Sequence, residues 1–583
     1  MKYKELVEIY EKLEKTSKRL EKTFIISEFL KKIKKEDLEE IINLLRGNVF
    51  PVWEEKKIGV SEKLVIKSIS RIAGINDKEI EKKWAKIGDL GKVAEELIKN
   101  KKQTSLEEKE LNLNKVFENL RKLASLEGEG TVDKKVGLIS ELLSNAQPIE
   151  ARYIVRTILE DLRIGVAEST LRDAIVWAYL GKELKIKYIN ENLELEDRKN
   201  YDFIIERTQY NYDLCNDFVE VAKNIIEYGI DFHKKTKLSG GKPINVMLYP
   251  KAESIEDGFK SVGKPAAIEQ KYDGFRLLLI KYKGKINLFT RRLENVTKQF
   301  PDIVMLTEEQ IKGDDFILDS ETIAVNSNGQ WLPFQALSQR IKRKYDIQDI
   351  IKKIPIIIRI FDVVKYNNEN LMEKPFIERR KLLEKIVKKS NKFDIAEQII
   401  TDNLEEAKKF YEKSLISGNE GIMMKDLNGK YQPGRRVGYG VKIKPILETL
   451  DLIIVAAEWG TGKRSKWLSS FTLSTIDKES FLEIGKVGTG IKEKSEEGVS
   501  FKELTRLLKP LIIEEKGRIV KLKPKIVVEV AYEEIQKSTT YTSGFALRFP
   551  RILGIKEDRR PKDVNDITSI NNIFIKQRNR FIK

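Results

Sequence analysis

The chain has one cysteine, Cys215, and one histidine, His233, among 583 residues. These two scarcities remove much catalytic chemistry. A single Cys excludes an intramolecular disulfide, Cys-rich zinc ribbons and iron–sulfur ligation, and it suits a reducing compartment. A single His excludes two-His metal sites of the HExxH type and argues against Ser–His–Asp catalysis. No run of about 18 apolar residues occurs, so no membrane span is expected. The start, MKYKELVEIYEKLEK, lacks the apolar core of a signal peptide. Catalysis must therefore rest on Lys, Arg, carboxylates, backbone amides and a hard metal bound through oxygen.

What the chain does have is charge. Lys plus Arg number 109 against 91 Asp plus Glu, a formal net charge of +18. That balance fits a polyanionic partner such as nucleic acid, and it fits equally a thermophile's Lys/Glu-rich surface. At 41% hydrophobic there is ample material for packed cores. The length suggests roughly three to five domains.

Residues 1 to about 235 read as helical. Leu6, Ile9, Tyr10, Leu13, Leu20 and Phe24 recur at three-and-four spacing, as do segments Leu38–Leu45, Val136–Leu143, Ala151–Leu162 and Ser169–Leu180. Lys234–Pro243 has the Gly, Pro and charge of a linker. From about residue 244 the apolar period becomes two. Arg276–Tyr282 and Ile286–Thr290 flank a Lys283-Gly284 turn, Phe316–Val325 and Pro355–Val364 read as buried strands, and helices fall near Pro375–Lys388 and Leu404–Ser414. A third region opens near Leu450, with short strands at Ser469–Ile476, Phe481–Val487 and Lys525–Ile535 and a turn at Gly460–Arg464, which suggests a small β-barrel. Cys215 reads as a small buried apolar group, His233 as structural, and IFIKQRNRFIK as a packed amphipathic end helix.

The tetrapeptide Lys271-Tyr272-Asp273-Gly274 falls where a strand should meet a tight turn before the next strand. Alone it reads as well as an exposed hairpin with Asp-Gly making the turn. The alternative is a nucleophilic lysine, which attacks only when deprotonated and so needs burial or neighbouring cations. An ordered set follows it: Phe316-Ile317-Leu318-Asp319-Ser320-Glu321, Phe361-Asp362, Glu420-Gly421-Ile422-Met423-Met424-Lys425 and Val441-Lys442-Ile443-Lys444. Each part has a bland reading as a turn cap or a blunted strand edge. In this order, chance is a poor account.

The chain resembles an ATP-dependent DNA ligase of the archaeal replicative type, within the lysine-adenylating nucleotidyltransferase superfamily. The likeness covers nearly the whole length. It includes Leu44–Glu54 (LLRGNVFPVWE), the run from Gly128 to Ala174 with Leu162-Arg163-Ile164-Gly165-Val166, and Ser543–Val564 (SGFALRFPRILGIKEDRRPKDV). The resemblance implies a multidomain fold: an all-α DNA-binding domain (1–240), an α+β nucleotidyltransferase (adenylation) domain (241–448) and a C-terminal OB-fold β-barrel (449–583). It implies Lys271 as the nucleophile that becomes AMP-lysine, Glu269 as the adenine-reading acid, and Phe361 as the stacking ring. Arg276 and Arg291 hold ribose and phosphate, and Arg436, Lys442 and Lys444 surround the α-phosphate. Glu321 contacts the ribose or, with Glu420, the metal. Asp558 and Arg559 orient pyrophosphate, and Arg163 and Gly165 meet DNA backbone. The co-substrate is ATP with Mg²⁺ (or Mn²⁺), and the partner is nicked duplex DNA. A monomer in the cytoplasm with the chromosome, and a sliding clamp as a further candidate partner, complete the expectation. The chain departs from the family in reading Thr290-Arg291-Arg292 for Ser-Arg-Asn and Lys556-Glu557-Asp558-Arg559 for Arg-x-Asp-Lys.

Rival readings are an RNA ligase or capping guanylyltransferase, which need no large helical region, and a non-catalytic DNA clamp, which needs no nucleophile. An NAD-dependent ligase would need a Cys₄ zinc finger. Nucleotidyl transfer demands alignment and charge neutralisation more than histidine chemistry, so the opening scarcities are no handicap. If the +18 acts on phosphates, affinity for a labelled nicked duplex falls steeply and log-linearly with salt in an anisotropy titration; a flat response would remove the phosphate-wrapping surface.

Overall fold

The computed structural model describes the chain apart from residues 52, 55, 57, 100–109, 127–129, 236, 237, 239, 327, 333, 342–345, 435–437, 446, 447, 461–463, 465, 494–498 and 579–583. Arg436, most of the turn expected at Gly460–Arg464 and the last five residues of the end helix lie outside the described residues. Contacts divide the chain into two compact units: residues 1–269, 273–402 and 423–442, and residues 270–272, 403–422 and 443–583.

In the first unit, residues up to Lys235 form helices around a core that includes Tyr3, Tyr10, Phe117, Tyr153, Phe218 and Phe232. The single apolar stripe expected from Leu6 to Phe24 is two helices, Tyr3–Lys15 and Arg19–Leu30, because the chain turns extended at Thr16. Leu6, Tyr10 and Leu13 are fully buried, whereas Phe24 on the second helix is 36% exposed. The described residues of this region also include a hairpin of strands β1 (Lys187–Ile189) and β2 (Asn192–Glu194), whose turn residues Asn190 and Glu191 both have positive φ. That conformation suits the twist of a two-residue turn.

The rest of the chain supplies the other strands. They are β3 (Ala266–Lys271), β4 (Phe275–Tyr282), β5 (Lys285–Thr290), β6 (Phe316–Ala324), β7 (Ile356–Tyr366), β8 (Glu369–Asn370), β9 (Phe393–Ile395), β10 (Gln398–Thr401), β11 (Gly421–Asp426) and β12 (Gly440–Ile443). One sheet has the order β5-β4-β6-β7-β8 with β9 parallel to β7; another has the order β10-β3-β11-β12. Strand β4 explains its unbroken apolar run. Leu277 and Leu279 enter one core with Phe316, Leu318 and Ile358, while Leu278 and Ile280 enter a second with Ile244, Ile317 and Val364. A strand covered on both faces has no solvent side to mark with polar residues.

The Lys271–Gly274 segment is not an exposed hairpin. Tyr272 and Asp273 are buried, and the strands on either side belong to different sheets. Gly274 is required by closeness: a Cβ there would lie 2.3 Å from the Thr322 carbonyl oxygen. Gly421 is required twice over, with φ at +144° and a virtual Cβ 2.0 Å from the Ile443 carbonyl oxygen.

In the second unit, strands β13 (Leu450–Trp459), β14 (Leu468–Asp477), β15 (Ser480–Val487), β16 (Ile512–Lys516), β17 (Ile519–Leu522), β18 (Val527–Ala531), β19 (Glu534–Lys537), β20 (Phe545–Arg548) and β21 (Arg551–Ile555) make a half-barrel sheet and a separate β19–β20 hairpin. The ten-residue β13 pairs with β14, β17 and β18, which lets the sheet turn a corner. The strand expected over Lys525–Ile535 is broken at Tyr532–Glu533 into β18 and β19. The terminal helix Ile567–Arg578 buries Ile570 and Phe574 against Phe545 and its neighbours, as its amphipathic pattern predicts.

Cys215 is buried, with its thiol directed at the Asn211 carbonyl, and burial pushes the thiol far above its usual range. A disulfide reagent at about pH 8 should therefore find no thiol in the native chain and one in denaturant. Ala at Gly421 should lower stability by about 1–3 kcal/mol, seen as a fall in thermal midpoint. Gly137→Ala, in the helix Thr131–Asn145 with open space at Cβ, should instead be neutral or stabilising by about 0.5–1 kcal/mol.

Candidate functional site

Strand β3 carries two ionisable residues, Glu269 and Lys271, at alternate positions. Each belongs to its own cluster. At the strand's end, Lys271 Nζ lies 2.5 Å from Glu420 Oε2, and Lys444 Nζ lies 2.9 Å from the same oxygen. The Glu420 N–H donates to the Lys271 carbonyl at 2.8 Å, so backbone as well as side chain fixes this pair. The close approach allowed by Gly421 puts Glu420 next to the end of β12, where Lys444 follows Ile443. Lys444 is also 3.4 Å from Glu533 Oε2 on the turn between β18 and β19. Burial opposes ionisation of Glu420, but the charges of Lys271 and Lys444 prevail and hold it well below the usual carboxylate range.

The second cluster surrounds Glu269, which is 2% exposed. Its Oε2 is 2.6 Å from Lys425 Nζ; its Oε1 accepts from Gln398 Nε2 at 2.8 Å and sits 3.5 Å from Arg380 Nη1. The Phe361 ring has Lys425 Nζ at 5.1 Å and the Arg276 guanidinium at 5.3 Å from its centroid. Arg276 forks onto Asp319, with Nε to Oδ1 at 2.8 Å, and donates through Nη1 to the Met247 carbonyl at 2.7 Å. Tyr431 donates to Asp319 Oδ2 at 2.8 Å. Burial opposes the charge on Arg276, and Asp319 more than restores it, so the guanidinium stays protonated throughout the accessible range. A parallel fork joins Arg379 to Asp362, with both side chains 1% exposed.

The expected site residues thus divide. Lys271, Glu420 and Lys444 come together, and so do Glu269, Phe361 and Arg276. Glu321 lies in β6, in register with Arg276 on β4 and Arg359 on β7. Arg291 follows β5 on an exposed turn. Lys442 is fixed through its backbone, accepting from Ala252 and donating to Pro250. Arg559 is in the half-barrel unit, 3.5 Å from Asp451 Oδ2, and Asp558 is exposed beside it. Arg163 has φ at +60° and turns its guanidinium to Asp161 and the Gly88 carbonyl. Gly165 has φ at +62°; Lys22 braces this loop through the Ile164 and Gly165 carbonyls.

Sequence reasoning placed Asp319, Asp362 and Lys425 in its ordered set without a role, and passed over Arg379, Arg380, Gln398 and Tyr431. The acids carried a signal, since an ionisable group inside an apolar strand needs a partner. The partners come from distant helices and loops, with no spacing to reveal them. As for a metal, no group of three or more His, Cys, Asp or Glu side chains fit to hold one occurs among the described residues. Single acids such as Glu321 and Glu420 fit a Mg²⁺ that arrives with phosphate oxygens, and not a prebuilt cage.

Comparison with known proteins finds likeness along the whole chain. Family models match three stretches: DNA ligase N terminus over residues 2–176, ATP dependent DNA ligase domain over 246–444, and ATP dependent DNA ligase C terminal region over 464–559. The chain is 46% identical to the DNA ligase of Nanoarchaeum equitans over 99% of both chains, and 40% identical to that of Thermococcus fumicolans over 98% of both. A solved structure, "Pmar-Lig_Pre.", shares the fold at a TM-score of 0.58 and 18% identity, covering 95% of this chain and 99% of its own. With Lys271 and Lys444 converging on Glu420 at a strand end, and with likeness along its full length, the chain belongs to the ATP-dependent DNA ligase family.

Proposed function

We propose that this chain seals nicks in duplex DNA with ATP through three nucleotidyl transfers centred on Lys271. The single observation that carries this is the convergence of Lys271 and Lys444 on Glu420. In the resting chain, Glu420 holds Lys271 as an ammonium. A triphosphate entering beside Lys444 competes for the cations, and Lys271 can then lose its proton. The neutral Nζ attacks the α-phosphorus, an N–P bond forms, and the bond to the bridging oxygen breaks to release pyrophosphate. The AMP next passes to the 5′-phosphate of the nick, freeing Lys271. Finally the 3′-hydroxyl attacks that phosphate, losing its proton as AMP departs and the strand closes.

Around these steps, Glu269 reads the adenine amino group by exchanging one of its three present partners. Phe361 stacks on the base, and the Arg276–Asp319 fork sets the wall beside it. Arg291 faces ribose and phosphate, while Arg436, Lys442 and Lys444 neutralise the α-phosphate. Glu321 and Glu420 are the acids for Mg²⁺ or Mn²⁺, which when bound supplies neutralising charge to the phosphates. Asp558 and Arg559 orient pyrophosphate, and the braced loop with Arg163 and Gly165 meets DNA backbone. Three domains (1–240, 241–448 and 449–583) are supported by the separate hydrophobic cores of the helical, two-sheet and half-barrel regions. No described helix is long and apolar enough to cross a membrane. We read the chain as a monomer acting on the chromosome in the cytoplasm, in replication, repair and recombination, with a sliding clamp as a candidate partner.

The test is incubation with α-labelled ATP and Mg²⁺, followed by nicked duplex. Wild type should take covalent label and pass it to the nick; Lys271→Ala should take none while still binding nicked DNA. Label persisting on Lys271→Ala would overturn the assignment.

A further inference from the structure

The helical region contains a cavity of about 300 Å³ that none of the steps above uses. Its walls come from the exposed face of the helix Arg19–Leu30, the end of the helix Glu168–Tyr179 and the β1–β2 hairpin. Two kinds of side chain meet there. Phe24 and Tyr188 form an aromatic wall, with ring centroids 4.9 Å apart, and Trp177 lies 6.1 Å from Tyr188 beneath it. Four lysines and two glutamates line the rim. Lys31 pairs with Glu28 at 2.5 Å and Lys185 with Glu196 at 2.6 Å, while Lys182 and Lys187 have no carboxylate partner among the described residues. The cavity therefore has a net charge of two positives beside an apolar aromatic face. The Tyr188 hydroxyl is shielded from solvent and has no hydrogen-bond partner among the described residues.

The hairpin that brings Tyr188 and Lys187 to this place packs on the helical core through Tyr188 and Leu193, both of them only partly buried. It uses positive φ at Lys185, Asn190 and Glu191, and an ion pair from Glu191 to Lys18 ties its tip to the helix bearing Phe24. Positive φ at Asn190 and Glu191 belongs to the hairpin turn itself, which leaves Lys185 as the one strained position beside the cavity.

We propose that this cavity binds a nucleoside 5′-phosphate, either free or as an unpaired residue of a single strand. The base stacks on Phe24 and Tyr188, and Lys182 and Lys187 take the phosphate. Stacking on aromatics combined with backbone cations is how sequence-tolerant single-strand sites work, and the cavity is at the small end of the range for ligand pockets. The inference does not depend on the assignment of Lys271.

The probes are 5-iododeoxyuridine monophosphate and a short single-stranded oligomer with one central 5-iododeoxyuridine, each photocrosslinked to the Lys271→Ala chain and mapped by peptide mass. Both probes, or the oligomer alone, should mark the peptides containing Phe24 or Tyr188; the first result means a nucleotide site and the second a strand site. Yield there should fall about tenfold in Phe24→Ala and in the double variant Lys182→Glu with Lys187→Glu. Crosslinks confined to other peptides, or yields unchanged in both variants while circular dichroism shows the fold intact, would overturn the proposal.

Discussion

One carboxylate oxygen serves two ammonium groups, and much of the architecture around Lys271 is what that sharing requires. Two unit charges of like sign a few ångströms apart repel by roughly 4 kcal/mol at an intermediate dielectric. Glu420 removes that penalty only if it stands within contact of both. The end of β3 must deliver Lys271, and the residue after β12 must deliver Lys444. The backbone between Glu420 and β11 must pass so close to Ile443 that only glycine fits at 421. On the proposed mechanism the same pairing keeps Lys271 idle, because an ammonium cannot attack. In that reading, reactivity waits on a rival anion, which ties activation to substrate.

The cluster around Glu269 follows a different rule. Arg276–Asp319, Arg379–Asp362 and Lys425–Glu269 are buried pairs, and buried pairs seldom add stability over well-packed apolar residues. What they do add is direction. A forked guanidinium on a carboxylate admits few geometries, so each pair fixes the rotamers of two side chains at once. Phe361 has two of these cations beside its ring, Lys425 at 5.1 Å and Arg276 at 5.3 Å from the centroid. The ring proposed to stack on a base thus has both neighbouring cations tied to buried carboxylates.

Much of this was legible in the sequence, and the limits have physical causes. The strands β4, β6 and β7 stood out as apolar runs, and the acids inside them announced themselves because water is absent there. The motif at Lys271 was legible as a unit, but its reading as a hairpin was not secure: Asp-Gly signals a turn locally and says nothing about which sheet the next strand joins. The first apolar stripe ran across Thr16 without a break in spacing, since two successive helices can keep one period by chance. The β1–β2 hairpin escaped for the opposite reason, its strands being too short for any period. Partners such as Gln398, Arg379 and Tyr431 depend on long-range pairing, which composition and spacing do not encode.

The lone thiol has a practical meaning beyond its own inertness. Cys215 faces the Asn211 carbonyl within the helical core, on the helix Arg198–Cys215. The natural chain therefore already offers the silent background that spectroscopists usually engineer by deleting cysteines. A cysteine introduced at any exposed position would be the one reactive handle, and paired dyes or spin labels placed on the helical and half-barrel regions could follow their separation through a catalytic cycle without altering a single native residue in either core.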